Sequence, residues 1–172
     1  MAAPVPPEIL YEIERFYYLE ARLFGRKRYR DWLENMVDKG IHYYLPITEE
    51  RYKNDRRPPA EFPPAIYDDN YTDLDERIKR LETDLVWSED PPSRLLHLIT
   101  NIDAYSSDRN GEEFEGYSNF MVSRHRHERE ETVFVGERED LLVRRNGHFK
   151  LLRRKITLPQ RVIAHTNLYL FF

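Results

Sequence analysis

The chain has 172 residues, 31 acidic and 27 basic, for a formal net charge of −4, which is the wrong sign for a protein that binds nucleic acid by displacing counterions from phosphates. It contains no cysteine, and this excludes disulfides, cysteine-ligated zinc, iron–sulfur clusters held by its own thiolates, and a cysteine nucleophile. Its 40% apolar share, with 12 Tyr, 9 Phe and 2 Trp, is enough for one ordinary core despite 34% charged residues, so a single globular domain over residues 1–172 is expected.

The opening "MAAPVPPEIL" is not a basic leader running into a long apolar stretch. No window reaches the ~20 apolar residues of a membrane span, so a soluble cytoplasmic protein is the expectation. Leu10, Ile13, Tyr17, Ala21 and Phe24 recur at steps of three and four and predict a first helix, with Pro7 suited to its first turn. Tyr29, Trp32, Leu33, Met36 and Val37 predict a second, with Gly40 as a left-handed cap beyond it. "IHYYLPI" then alternates as a strand. Residues Thr48 to Asn70, with "RRPPAEFPP" among them, predict a long proline-rich loop, since proline has no amide donor to give to a helix interior or a central strand. Thr72 and Asp75 suggest a capping box for a third helix over Asp73 to Leu85.

Beyond "WSEDPPS" the period becomes two. Ser93 to Tyr105 predicts a strand; Asn110-Gly111 and Asn146-Gly147 are hairpin signals; the segments they bound predict three further strands, with Gly116 as a candidate bulge. The final "VIAHTNLYLFF" either closes the sheet or covers it. Helices first and long antiparallel strands after give an α+β class. The string is compatible with a cystatin-like, nuclear-transport-factor-like cone, in which a long curved sheet wraps the N-terminal helices, and other α+β folds share it.

Four stretches carry more than pattern: "FYYLEARLFGRKRYRDWLENMVDKGIHYYLP", "RLETDLVWSEDPPSRLLHLITNI", "VFVGEREDLLVR" and "LLRRKITLPQRVIAHTNLYLFF". In order, and across nearly the whole chain, they resemble the small (β) subunit of the aromatic-ring-hydroxylating dioxygenases, the Rieske non-haem iron enzymes. The resemblance implies a cystatin-like fold and a catalytic α subunit as partner, commonly three α with three β. It places the Rieske [2Fe-2S] cluster and the mononuclear iron in α, with a reductase and often a ferredoxin delivering electrons. The reaction implied is conversion of an arene to a cis-dihydrodiol. The implied role of this chain is structural, with no catalytic, cofactor or metal residue of its own.

"SRHRHERE", Ser123 to Glu130, raises the question of a metal site. On a strand His125 and His127 share a face, while Glu128 points the other way with Arg124 and Arg126, so a third ligand is missing and a charged strand is the plainer reading. Arg124 and Arg126 resemble recurrent family arginines and suit interfacial carboxylates. "WSEDPPSRLLHL" resembles a family segment of the form W-x-x-x-P-P-S-R-x-R-H-L, with Leu96 in place of its second arginine. Trp87, Arg94, His97, Arg124 and Arg126 are therefore the candidate subunit-interface residues, the alternative for Trp87 and Arg94 being a local tie between loop and sheet. In "HFKLLRRKITL" alternation puts Lys150, Leu152, Arg154 and Ile156 on one face, so neither face is purely basic and neither nucleic acid nor membrane is expected as a partner. The rival function is a free-standing isomerase or dehydratase of the same fold acting on a small hydrophobic substrate, with Asp103, His97 and Tyr43 cast inside the cone.

Overall fold

The computed structural model describes residues 3–47, 64–83, 92–107, 111–126, 130–159 and 170–172. Helix α1 (Pro7–Gly25) starts on the predicted proline and buries Ile13, Phe16, Tyr17, Glu20, Leu23 and Phe24. Helix α2 (Tyr29–Met36) buries Tyr29, Trp32, Leu33 and Met36. It passes without a left-handed cap straight into strand β1 (Val37–Pro46), Val37 already being extended at φ −106°. Gly40 therefore belongs to the strand, where its missing side chain leaves room for Leu152.

The loop expected from Thr48 to Asn70 does not extend to Asn70. Its end forms strand β2 (Ala65–Asp69), antiparallel to β1, while residues 48–63 lie outside the described residues. Helix α3 (Tyr71–Glu82) is capped by Asn70 and Asp73 rather than Thr72 and Asp75: the Asn70 side chain accepts from the Asp73 amide and the Asp73 carboxylate accepts from the Asn70 amide. Arg30 of α2 ties α3 down through Asp75 and Glu82.

Four long strands complete the sheet: β3 (Arg94–Ser106), β4 (Glu113–Arg126), β5 (Glu130–Arg145) and β6 (His148–Thr157). Asn146 and Gly147 both have positive φ, 53° and 80°, the type I′ geometry that matches strand twist in a two-residue hairpin. The strand order is β2-β1-β6-β5-β4-β3, all antiparallel except β1 with β6. The curved six-stranded sheet carries the helices on its concave side, which is the expected α+β cone. Before α1, the Val5 amide donates to Ala104 and the Ser106 amide to Ala3, so the N-terminal segment covers part of the β3 edge.

Two strand details set the interior. Gly116 is not a bulge: it pairs in register with Ala104 and Asp140, and a Cβ there would collide with the Tyr17 hydroxyl. In β6 the register slips at Leu152, because Leu142 faces Leu151 while Leu141 faces Arg153. Strict alternation over "HFKLLRRKITL" thus fails. Phe149, Leu151, Arg154 and Ile156 all point inward, and the slip is what delivers Arg154 to the core.

Candidate functional site: the inside of the cone and its rim

Four charged side chains meet in the interior. Glu20 comes from α1, Arg138 and Asp140 from β5, Arg154 from β6, and each is at most 2% exposed. Arg154 uses all five of its N–H donors. Nε and Nη2 reach the two Asp140 oxygens at 2.9 and 2.7 Å, Nη1 and Nη2 reach the Glu20 oxygens at 2.8 and 3.0 Å, and Nη1 also reaches the Phe172 main-chain oxygen at 2.8 Å. Glu20 accepts in addition from Trp32 Nε1 at 2.8 Å and Arg138 Nη1 at 3.0 Å. Arg138 lies over the Phe120 ring, 5.0 Å from its centroid. Two guanidiniums and two carboxylates cancel in charge, the condition under which such groups are tolerated away from water. Burial opposes ionisation of Glu20, but Arg154 and Arg138 outweigh it and lower its pKa. For Tyr17 burial and the Asp140 carboxylate act together, and its hydroxyl stays protonated well above the usual range.

Above this cluster the cone is filled by Leu170, Phe171 and Phe172, all at most 5% exposed. Phe171 sits among Phe24, Tyr29, Trp32 and Tyr43, with ring centroids 5.0 to 6.4 Å away. Phe172 packs on Phe120 and Phe134 at 5.4 and 5.5 Å. The backbone of this segment is held as well. Arg77 Nη2 donates to the Leu170 oxygen at 3.0 Å, and the Tyr43 hydroxyl donates to the Phe172 oxygen at 3.0 Å while accepting from its amide at 2.8 Å. His97 Nε2 lies 3.2 Å from the Phe171 oxygen. A carbonyl can only accept, so Nε2 carries the ring proton. Of the final stretch expected to close or cover the sheet, residues 170–172 cover its inner face, and residues 160–169 lie outside the described residues.

The trio cast for isomerase or dehydratase chemistry is therefore not assembled. The Tyr43 hydroxyl is spent on the Phe172 main chain and His97 Nε2 on the Phe171 oxygen, while His97 Nδ1 is buried without a hydrogen-bond partner and meets no carboxylate or hydroxyl of the trio. Asp103 is exposed, its carboxylate accepting from the Tyr105 hydroxyl at 2.7 Å and the Ala104 amide at 2.9 Å. The interior holds aromatic rings where a substrate would have to lie.

Burial first, then the charge of Arg138, depresses the His97 pKa to about 4. Because the folded value lies below that of the unfolded chain, the unfolded state takes up a proton first as the pH falls. The stability tied to neutral His97 is whole above about pH 6.5 and is lost progressively toward pH 4. At roughly 1.4 kcal/mol per unit the maximum is about 3 kcal/mol. Urea unfolding at pH 7.5 and pH 5 is expected to differ by less in His97→Gln than in the wild type; an equal difference would remove His97 from the acid response.

The other sequence candidates sit on the sheet's rim and outer face. Arg94 opens β3 and is exposed, opposite His125 on β4. Arg124 and Arg126 are half-buried near the end of β4, on the opposite side of the strand from exposed His125, as alternation predicts. His125 Nε2 lies 2.9 Å from Ser123 Oγ and 3.6 Å from Glu131. Among the described residues no three His, Asp or Glu side chains converge as a metal-ligand set. His127, Glu128 and Trp87 lie outside the described residues. No helix among the described residues is long and apolar enough to cross a membrane. The Glu20, Arg138, Asp140 and Arg154 cluster escaped the sequence reading, although Glu20 lies on the apolar side of α1 and Arg138 and Asp140 share the phase of buried Phe134 and Leu142 on β5.

Comparison with known proteins places the chain. Residues 19–165 match the family model described as the ring hydroxylating beta subunit. The chain is 37% identical to the benzene 1,2-dioxygenase subunit beta of Pseudomonas putida, over 99% of its own length and 92% of that protein. Its fold superposes with a TM-score of 0.91, at 27% identity, on a solved naphthalene 1,2-dioxygenase chain, covering 98% of this chain and 88% of that one. It superposes with a TM-score of 0.64, at 12% identity, on a putative scytalone dehydratase of Novosphingobium aromaticivorans, over 92% of this chain and 89% of that one; this second likeness concerns the fold alone. The chain belongs to the family of ring-hydroxylating dioxygenase β subunits.

Proposed function

We propose that this chain works beside a larger catalytic α subunit in an assembly of three α and three β, oxidising an aromatic compound to a cis-dihydrodiol. Family membership supports the partnership. The observation that carries the non-catalytic role is the filled cone, in which Phe171 and Phe172 occupy the interior and engage Tyr43 and His97. The Rieske cluster and the mononuclear iron belong to α on this reading, since a Rieske centre needs two cysteine thiolates and this chain has none. Reductase and ferredoxin then act on the complex, in the cytoplasm, and substrate choice rests chiefly with α.

What β contributes is geometry. A stiff sheet, pinned from inside by ion pairs and aromatic rings, is a scaffold against which α subunits are held at fixed separations. Arg94, Arg124 and Arg126 are the proposed contact residues at its rim, together with Trp87, which lies outside the described residues. His97 is left out because its ring nitrogen is committed to Phe171 in the interior.

Co-expression with a Rieske-type α chain tests the reading, the expected result being a stable mixed oligomer with dioxygenase activity. A chain that fails to co-purify with α and, as a monomer, turns over a carbonyl or hydroxy substrate in a manner abolished by His97→Ala would overturn it. Within the complex, Arg124→Ala or Arg126→Ala is expected to lower the yield of assembled enzyme and its activity severalfold, with iron per intact α chain unchanged. Loss of iron from intact complexes would contradict an assembly role for these arginines.

A further inference from the structure

Arg138 and Arg154 stand on neighbouring strands and both reach Glu20, but they differ in how one edge of the guanidinium is used. Nε and Nη2 share an edge, their N–H bonds side by side, and form the fork that takes a carboxylate in bidentate fashion. Arg154 presents that edge to the two Asp140 oxygens at 2.9 and 2.7 Å. Arg138 is 1% exposed and donates to Glu20 through Nη1, yet its Nε and Nη2 are both buried without a hydrogen-bond partner among the described residues. Burial, and after it the like charge of Arg154, lowers the Arg138 pKa. Directly opposite on β4 stands Ser118, buried on the same inner face, and its Oγ is without a partner too. Three unmatched polar atoms at one place in a packed interior are costly, because each has given up its bonds to solvent on folding.

We infer that the Arg138 edge and Ser118 form a binding site for one ordered internal water, which accepts from Nε–H and Nη2–H and donates to Ser118 Oγ. Residues directly opposite in an antiparallel pair have Cβ atoms about 4.5 to 5.5 Å apart. The Ser118 hydroxyl lies one bond from its Cβ and Arg138 Nε three bonds from its own, a separation that a single water spans. Three partners is the usual complement of a buried water. Ser118 is small, and beside it the β3 ladder is interrupted between Thr100 and Asp103, which loosens the row at this point. The Phe120 ring covers the face of the Arg138 guanidinium, 5.0 Å from centroid to Cζ, and leaves the edge to a polar occupant. Charge selects water over an anion. Glu20 and Asp140 already balance Arg138 and Arg154, so a chloride or carboxylate on the Arg138 edge would leave an uncancelled negative charge in the core. Water supplies the acceptor without the charge.

Diffraction from crystals of the full chain, alone or in complex with α, tests the site at a resolution that shows ordered water. The expected result is one isolated density peak at hydrogen-bond distance from Arg138 Nε, Arg138 Nη2 and Ser118 Oγ, with no anomalous signal after chloride is exchanged for bromide. Absence of the peak, an Arg138 edge bonded to protein oxygens instead, or a bromide signal at that place overturns the inference. Two substitutions give an independent reading in solution. Ser118→Ala keeps the space, so the water stays on Arg138 with two of its three bonds. Ser118→Val sets a methyl group where the water would lie and strands both Arg138 donors. The urea midpoint is expected to fall further in Ser118→Val than in Ser118→Ala, although valine adds apolar volume and is the better strand residue. A valine variant at least as stable as the alanine variant overturns the inference as well.

Discussion

Arg154→Ala is expected to remove about 3 to 5 kcal/mol of folding stability, enough to leave much of the protein unfolded at physiological temperature. The residue is the hub of the interior, with five donors placed on Glu20, Asp140 and the Phe172 oxygen at 2.7 to 3.0 Å. Burial works against its charge, yet Asp140 and Glu20 overcome it and raise its pKa well above the ordinary arginine value. Truncation leaves two buried carboxylates facing one guanidinium that contacts only Glu20. An uncompensated buried charge costs far more than the attraction that was lost.

The same logic separates variants that share a first appearance. Arg154→Lys keeps the charge but offers one ammonium in place of a planar fork that engages both carboxylates at once, so most of the loss should remain. Arg154→Met combined with Glu20→Gln removes one charge of each sign, and it should be more stable than Arg154→Ala despite changing twice as many buried groups. Urea unfolding at neutral pH gives all three values. If Arg154→Ala shifted the midpoint no more than a surface substitution would, the cluster would not be what fixes β5, β6 and α1 against each other.

Most elements were legible because their signals were local. Pro7 marked the start of α1, Asn146-Gly147 supplied the positive φ values of a type I′ turn, and period two ran through β4 and β5, and through β3 as far as Thr100, beyond which its register slips at Asn101, φ 52°. Apart from the cap of α3, which is the local Asn70–Asp73 box two residues earlier than expected, the misread elements arose where a local signal was outvoted by tertiary pairing. Gly40 has the composition of a helix cap but is held in β1 beside Leu152, and the stretch after the prolines yields β2 because β1 offers it an open edge. The buried ion cluster was missed because charged strand residues ordinarily face solvent. Its signal was nonetheless present: Arg138 and Asp140 share their phase with Phe134 and Leu142, and Glu20 sits between Tyr17 and Phe24 on the apolar side of α1. For Arg154 no reading by alternation could have succeeded, because the slip at Leu152 depends on how β6 meets its neighbours. Function was legible only through resemblance. A subunit that acts by shape leaves no constellation of catalytic residue types to find.

Phe171→Ala is expected to cost about 3 to 5 kcal/mol, the usual range for emptying a buried phenylalanine site, and to lower the thermal midpoint by roughly 10 °C for a chain of this size. The ring touches four aromatic neighbours, and the Arg77 guanidinium lies 4.5 Å from its centroid. Phe24 and Trp32 come from two rigid helices and cannot readily collapse into the gap, so the cavity persists and the penalty stays near the upper end. The substitution keeps the backbone, so His97 retains its Phe171 oxygen and the loss reports packing rather than hydrogen bonding. An apolar cavity of phenyl size takes up benzene, and benzene is expected to raise the midpoint of Phe171→Ala while leaving the wild type unmoved. A cost near 1 kcal/mol, or a wild type equally stabilised by benzene, would mean that the segment 170–172 is loosely seated and the cone open to small aromatic molecules. The argument for a non-catalytic interior would then fail at its first step, because a filled cone excludes substrate only if what fills it stays in place.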